Sequence, residues 1–205
     1  MRLAAEVDRL AAELAASRAR IDELESRIDT DPLTETLNRR GFERELRRSL
    51  AYVKRYGVSA ALIYLDLDEF KAVNDRYGHS AGDAVLKTVA AALIRNIRSS
   101  DIVARIGGDE FVALIWNVNE AEAAAKATAL ETAVGTTAVR FGGARISVGA
   151  SAGAAVLTAL DTPARALERA DAAMYACKIM RAKSCAQNRR QGVGAYTRSE
   201  AEIRR

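Results

Sequence analysis

Apolar side chains in the first 29 residues follow alternating spacings of three and four. They lie at Leu3, Val7, Leu10, Leu14, Ile21, Leu24 and Ile28, with Ser17 as a polar interruption. Mostly β-branched a positions with leucine at d favour a parallel two-stranded coiled coil. An amphipathic helix packed on its own domain is the alternative, but such a helix has a wider apolar face. The pattern therefore predicts a coiled-coil dimerisation helix over residues 1–30.

After this segment, Asp31-Pro32 ends the helix, because the residue before proline disfavours the α region. The remaining chain mixes stretches of helical and strand periodicity. Helices are predicted at 39–55, with Asn38 as N-cap, from an Asp68 cap to Tyr77, and at 80–98, 119–133 and 164–182. Strands are predicted at 59–67, 101–106, 110–116, 136–141 and 144–157. Such a mixture indicates an α+β fold whose central sheet is mainly antiparallel and flanked by helices.

Two glycine pairs, Gly107-Gly108 and Gly142-Gly143, separate consecutive predicted strands. Glycine pairs readily adopt the positive φ angles of tight hairpin turns, and we expect this of Gly107-Gly108. The folded domain is predicted to span residues 31–183. Residues 184–205 are polar and are expected to form a flexible tail.

Length, charge and cysteine content limit the number of domains, the expected partners and the compartment of the protein. The 205 residues suit one domain plus an appendage, and the net charge of +4 comes from 31 basic and 27 acidic residues that are interspersed. No basic stripe is interleaved with aromatic residues, so no nucleic-acid partner is expected. Neither a signal-peptide pattern nor a membrane-length apolar run occurs. Two cysteines without metal or redox spacing agree with a reducing compartment. We expect a cytoplasmic protein without a membrane partner.

Acidic residues mark two places where strands end. Asp109 and Glu110 directly follow Gly107-Gly108, and Asp66 closes the apolar strand before them. Adjacent like charges are a poor choice for a simple hairpin. They suit Mg²⁺, which takes one or two carboxylates together with phosphate oxygens. Glycine also allows the backbone to approach a ligand closely.

A second group of polar residues surrounds the short helix that follows Asp68. A helix start beside a metal offers free N–H groups to phosphate, and Lys71 adds a positive charge there. Asn74 and Asp83 have the chemistry to contact a base edge, since a carboxylate can accept from the N1–H and N2–H₂ groups of guanine. Taken alone, Asp83 could equally be a solvated turn residue.

Together these residues resemble the GGDEF-domain diguanylate cyclases, whose signature stands at residues 107–111. The resemblance runs from Asp31 to about Lys178 and includes the opening Asp31-Pro32-Leu33-Thr34 and the spacing from Asp66 to Asp109. It implies a palm-like βααββαβ nucleotidyl cyclase fold. It also implies two subunits that face each other, each carrying one GTP.

The resemblance further implies a role for each matching residue. Asp66 and Asp109, with the Leu67 carbonyl, would bind Mg²⁺ (or Mn²⁺). Asp109 would also accept a proton from the attacking 3′-hydroxyl, with Glu110 supporting the geometry. Asn74 and Asp83 would bind guanine. The remaining substrate-binding positions would be Phe70, Lys71, Gly107, Gly108 and Lys178.

Two further features concern the end of the last predicted helix and the segment before the signature. Arg181-Ala182-Lys183 stands where the family usually has Gly-Arg-Asn, so the phosphate-binding arginine is missing at 182. Arg181 lies three residues after Lys178 and could substitute, because residues at that spacing share a helix face. Arg98 and Asp101 resemble the family's R-x-x-D product-inhibition site, although the same pattern also joins a helix end to a strand.

The function predicted from the sequence is the condensation of two GTP into cyclic di-GMP and two pyrophosphates by a homodimer that the product inhibits. An alternative is a catalytically weak domain that binds GTP or cyclic di-GMP and signals through its coil. A third is a cyclase with a mixed GMP–AMP product, against which the carboxylate of Asp83 argues.

Overall fold

A computed structural model describes residues 29–180 together with Glu6, Arg9, Leu10, Glu13 and Leu14. Those five N-terminal residues are helical and exposed, and Arg9 forms ion pairs with Glu6 and Glu13. The rest of the predicted coil and the predicted tail lie outside the described residues. No helix in the described part of the chain is long and apolar enough to cross a bilayer.

Helices and strands alternate along the described chain. In order they are α1 (Arg39–Tyr56), β1 (Ala60–Asp68), α2 (Phe70–Tyr77), α3 (His79–Arg95), β2 (Ile102–Arg105), β3 (Glu110–Trp116), α4 (Glu120–Gly135), β4 (Ala138–Phe141), β5 (Ala144–Ser147), β6 (Gly149–Val156) and α5 (163–180). The sheet order is β2-β3-β1-β6, with every neighbouring pair antiparallel, and β4 and β5 form a separate hairpin. The predicted α+β class and antiparallel sheet are confirmed.

Helix ends follow local capping chemistry. Asn38 accepts a hydrogen bond from the Gly41 N–H at 3.0 Å and begins α1, and Gly57 ends it with φ 64°. This agrees with the predicted cap and helix, because asparagine is a strong N-cap and glycine readily adopts the left-handed conformation that ends helices. Asn119 and Glu122 form a reciprocal capping box at the start of α4.

Both faces of the central sheet are covered. Ile63 and Leu65 of β1 pack toward α2, α3 and α4, whereas Leu62 and Tyr64 face α1 and α5. A strand buried on both faces reads as a continuous apolar run rather than an alternating one, which explains the run that ends near Asp66. The paired ends of β1 and β3 are therefore anchored in a sheet that is packed on both faces.

The predicted cap at Asp68 is wrong. Asp68 is the last residue of β1, and its carboxylate accepts a hydrogen bond from the Ser151 hydroxyl at 2.9 Å. The N-cap of α2 is Glu69, which adopts a left-handed conformation with φ 56° and makes no side-chain cap. Pairing of β1 with β6 extends to Asp68 and moves the helix start one residue on.

Two other local predictions also need correction. Neither Gly107 nor Gly108 has a positive φ, whereas Gly142 (55°) and Gly143 (81°) do. The predicted strand 144–157 divides into β5 and β6, which belong to different sheets and are separated by Val148. Apolar residues on both sides of that break gave the sequence a continuous strand pattern.

Candidate functional site

The acidic residues predicted as a metal site lie together at one end of the central sheet. Antiparallel register pairs Asp66 of β1 with Glu110 of β3. The Leu67 N–H donates a hydrogen bond to the Asp109 carbonyl at 3.2 Å, which ties the signature turn to β1. Two segments separated by more than forty residues thus bring three carboxylates to one rim.

Negative charge at this rim is partly neutralised by Lys178 of α5, which forms an ion pair with Asp66. Burial raises the pKa of Asp109, and the charges of Asp66 and Glu110 raise it further. The hydrogen bond with Asp66 raises the pKa of Lys178, and the Asp68 and Asp109 charges add to this effect. The rim therefore favours a bound cation.

Glu110 is held by a contact that the sequence did not indicate. Its Oε1 accepts a hydrogen bond from the Tyr64 hydroxyl at 2.9 Å. Burial, followed by this hydrogen bond, raises the pKa of Tyr64 above its usual value. A Cβ at Gly107 would lie 2.0 Å from Glu110 Oε2, so a larger residue at 107 would force the Glu110 carboxylate to move.

Arg105 joins the signature turn to the start of the domain. Its guanidinium donates to the Gly108 carbonyl at 2.8 Å and forms an ion pair with Asp31 at 3.2 Å. Burial raises the pKa of Asp31, but hydrogen bonds from Thr34 and the Arg105 charge outweigh this and leave that pKa below its usual value. Asp31 was predicted to end a helix and to begin the opening motif of the domain, and in the structure it also holds the signature turn in place.

The available donors fit a magnesium-type ion better than a protein-enclosed metal. Within the described ranges, no three His, Cys, Asp or Glu side chains converge as a metal site. Asp66, Asp109 and the Leu67 carbonyl supply only oxygen. Mg²⁺ is usually bound by one or two carboxylates and completes its shell with water and substrate phosphate. The donor chemistry is therefore compatible with this ion.

Comparison with known proteins identifies the domain. Residues 28–184 match the family model described as "Diguanylate cyclase, GGDEF domain". This match covers more than half of the chain. The protein belongs to the GGDEF domain family.

Relatives of known sequence include the probable diguanylate cyclase DgcE of Escherichia coli K12, which is 39% identical over 170 residues covering 81% of this chain and 15% of that protein. Diguanylate cyclase DosC of the same strain is 35% identical, over 74% of this chain and 33% of the relative. The chain therefore spans a third or less of the length of these two relatives.

Solved GGDEF structures share the fold. The coiled coil and GGDEF domain of DgcB from Caulobacter crescentus, in complex with c-di-GMP, superimposes with TM-score 0.74 at 29% identity, covering 87% of this chain and 95% of that one. Diguanylate cyclase SiaD from Pseudomonas aeruginosa, in complex with its activator SiaC, gives TM-score 0.76 at 33% identity, covering 87% and 69%.

The predicted guanine contacts of this GGDEF domain, and two of its other predicted substrate contacts, lie on α2 and α3. Phe70 is buried, Lys71 is exposed, Asn74 is half-buried and Asp83 is exposed near the start of α3. Asn74 packs directly against Gly82, the neighbour of Asp83, so the two predicted guanine contacts are adjacent. Arg181 lies outside the described residues.

Arg98 and Asp101 lie apart from the carboxylate rim. Asp101 is 8% exposed and accepts hydrogen bonds from the backbone N–H groups of Arg98 at 2.9 Å and Trp116 at 3.1 Å. Trp116 is at the opposite end of β3 from Glu110. Both Asp101 oxygens thus stabilise the loop, whereas the Arg98 side chain is exposed beside a cavity of about 340 Å³.

Proposed function

We propose that this chain contains the catalytic domain of a diguanylate cyclase. Its reaction joins two GTP molecules: the 3′-oxygen of each attacks the α-phosphorus of the other, and two pyrophosphates leave. The observation that carries the proposal is that Asp66, Asp109 and Glu110 lie at the same end of the sheet, where Lys178 pairs with Asp66. Relatives named diguanylate cyclases support it.

In this proposal, Asp66, Asp109 and the Leu67 carbonyl bind Mg²⁺ or Mn²⁺. The ion, when bound, stabilises negative charge on the α-phosphate and on the departing pyrophosphate. Asp109 accepts the proton of the attacking 3′-hydroxyl. Glu110, held by Tyr64, keeps the signature turn in shape. Lys178 balances the carboxylate charge and contacts phosphate when the nucleotide enters.

Nucleotide binding divides between two surfaces. Asn74 and Asp83 contact guanine, with the Asp83 carboxylate accepting from N1–H and N2–H₂. The remaining proposed substrate contacts line the phosphates: Phe70, Lys71, Gly107, Gly108, Lys178 and Arg181.

A test of the proposed function is incubation with GTP and ATP together in the presence of Mg²⁺, followed by chromatographic identification of products. We expect cyclic di-GMP alone, because Asp83 accepts from the guanine edge and adenine offers no donor at N1. A mixed GMP–AMP product would overturn the base assignment. Tight binding of GTP without any product would favour the catalytically weak signalling domain.

Dimerisation through residues 1–30 is the second part of the proposal. One subunit holds one GTP, so closing the product needs two domains. Leu10 and Leu14, at seam positions, are each 52% exposed in the single chain. Asp29 is buried and anchored: its carbonyl accepts from the Asn38 N–H at 2.8 Å and its carboxylate pairs with Arg44. Rotation of the coil would therefore be transmitted to the domain.

Deleting residues 1–28 should make specific activity fall steeply on dilution, because tethering raises the local concentration of the second domain to roughly millimolar. Inserting seven residues before Ile28 keeps the heptad phase and should preserve activity. Inserting four rotates the seam by about 40°, at roughly 100° per residue, and should change activity. Full specific activity of the truncated protein at nanomolar concentration would contradict this role.

Product inhibition at Arg98 and Asp101 gives a further prediction. Arg98→Ala should relieve inhibition by added cyclic di-GMP without lowering the unfolding temperature, because the Arg98 side chain is exposed. Asp101→Ala should also destabilise the fold, because the Asp101 carboxylate accepts two backbone hydrogen bonds. Each lost bond to this charged group should cost roughly 1.5–3 kcal/mol. Activity measured at increasing concentrations of added cyclic di-GMP tests the relief of inhibition, and thermal unfolding tests the effect on stability. An unmutated protein insensitive to micromolar product would disprove the site.

A further inference from the structure

The side chain of Asn74 rests on the bare α-carbon of Gly82. A Cβ built at Gly82 would lie 1.9 Å from Asn74 Oδ1, 3.0 Å from its Cγ and 3.2 Å from Phe70 Cζ. The first distance is far shorter than any van der Waals contact allows. Gly82 is buried within α3 and its φ is not positive, so a Cβ there would not strain the backbone but would force the Asn74 amide to shift.

Packing, rather than hydrogen bonding, orients the Asn74 amide. Among the described residues, no hydrogen bond involves that amide, although the Asn74 backbone carbonyl accepts from the Gly78 N–H at 2.9 Å. This backbone contact ties the end of α2 to the start of α3. The amide is half-buried and keeps its donor and acceptor available to a ligand.

We propose that Gly82 is a positioning residue that sets guanine specificity through Asn74, an inference that rests on the proposed function. Guanine carries a donor (the 2-amino group) beside an acceptor (N3), and an amide presents the matching acceptor and donor. Asp83 follows Gly82 directly in α3, so the same close helix contact sets the spacing between amide and carboxylate. A methyl group at 82 would displace the amide from that position.

The test compares GTP with ITP, whose base lacks only the 2-amino group. Gly82→Ala should raise KM for GTP by roughly tenfold, the typical effect of one lost hydrogen bond, while KM for ITP, which keeps N3 but lacks the 2-amino partner, should rise less. The preference for GTP over ITP in kcat/KM should therefore fall. Gly135→Ala is the matched control, because a Cβ there meets nothing within 4 Å. It should keep the preference.

Combining Gly82→Ala with a second substitution distinguishes a positioning role from a general loss of structure. Asn74→Ala removes the amide atoms that the methyl group added at position 82 would meet, so adding Gly82→Ala to it should cause no further loss of the GTP:ITP preference. This comparison stands even if the single Gly82→Ala variant does not fold. A further loss in the Asn74→Ala background would overturn the inference, as would an unchanged preference in a folded Gly82→Ala protein.

Binding of 3′-deoxy-GTP, which lacks the attacking hydroxyl, gives a readout without turnover. Calorimetry should show binding to the unmutated protein and to Gly135→Ala, and roughly tenfold weaker binding to Gly82→Ala. If the unmutated protein binds no guanine nucleotide, the proposed function fails together with this inference. If it binds normally and Gly82→Ala binds equally well, only the role of Gly82 is overturned.

Discussion

Asp109→Asn and Asp66→Asn are each expected to abolish synthesis of cyclic di-GMP. Each removes one of the two charged oxygen ligands from a site that must balance several phosphate charges. Metal stabilisation of such charge is worth several kcal/mol, so turnover should fall by roughly a thousandfold or more. Initial rates of pyrophosphate release at saturating GTP and Mg²⁺ measure the effect.

The control is Glu168→Gln, which removes one carboxylate from the exposed surface of α5. It should retain full activity. Thermal unfolding of Asp109→Asn without metal should be no easier than that of the unmutated protein, because burial and the neighbouring carboxylates disfavour the Asp109 charge. Near-normal turnover by either Asp66→Asn or Asp109→Asn would refute the metal assignment.

Gly153→Ala is expected to impair both stability and catalysis. Gly153 lies in β6, and a Cβ there would stand 1.9 Å from the Met174 nitrogen, 2.3 Å from the Ala173 carbonyl carbon and 2.5 Å from the Met174 Cα. These are backbone atoms of α5, so the helix must shift. Overpacking of this kind typically costs about 1–3 kcal/mol, which unfolding in denaturant would measure.

The catalytic effect follows from the position of Lys178, one helical turn beyond Met174. A shift of α5 would disturb its ion pair with Asp66, and we expect KM for GTP to rise in Gly153→Ala. Gly135→Ala, with open space around its Cβ, should not lower stability and should leave KM unchanged. Unaltered unfolding and kinetics in Gly153→Ala would show that α5 does not depend on this close approach.

The elements whose signals are local can be predicted from the sequence. The apolar run of β1, the Asn38 cap and the glycine after α1 each act within a few residues, and the structure bears them out. The carboxylates could be proposed as metal ligands because the signature motif is short and contiguous. Their meeting with Asp66 was expected from family spacing rather than from physical chemistry.

The missed features depend on contacts between distant segments. Gly107 and Gly82 each lie against a particular side chain and Gly153 lies against the backbone of α5, which no local pattern reveals. Asp68 was misassigned because strand pairing with β6 prevailed over a local cap preference. Tyr64 reads as a core aromatic, and only the fold shows its hydroxyl reaching Glu110.

The most direct test is the stoichiometry of the reaction with GTP as the only nucleotide. The proposed mechanism predicts one cyclic di-GMP and two pyrophosphates for every two GTP consumed, with neither product formed by Asp109→Asn. Quantification of all three species by chromatography and a pyrophosphate assay supplies the answer. Consumption of GTP without cyclic di-GMP, or equal synthesis by the unmutated protein and Asp109→Asn, would contradict the proposed mechanism.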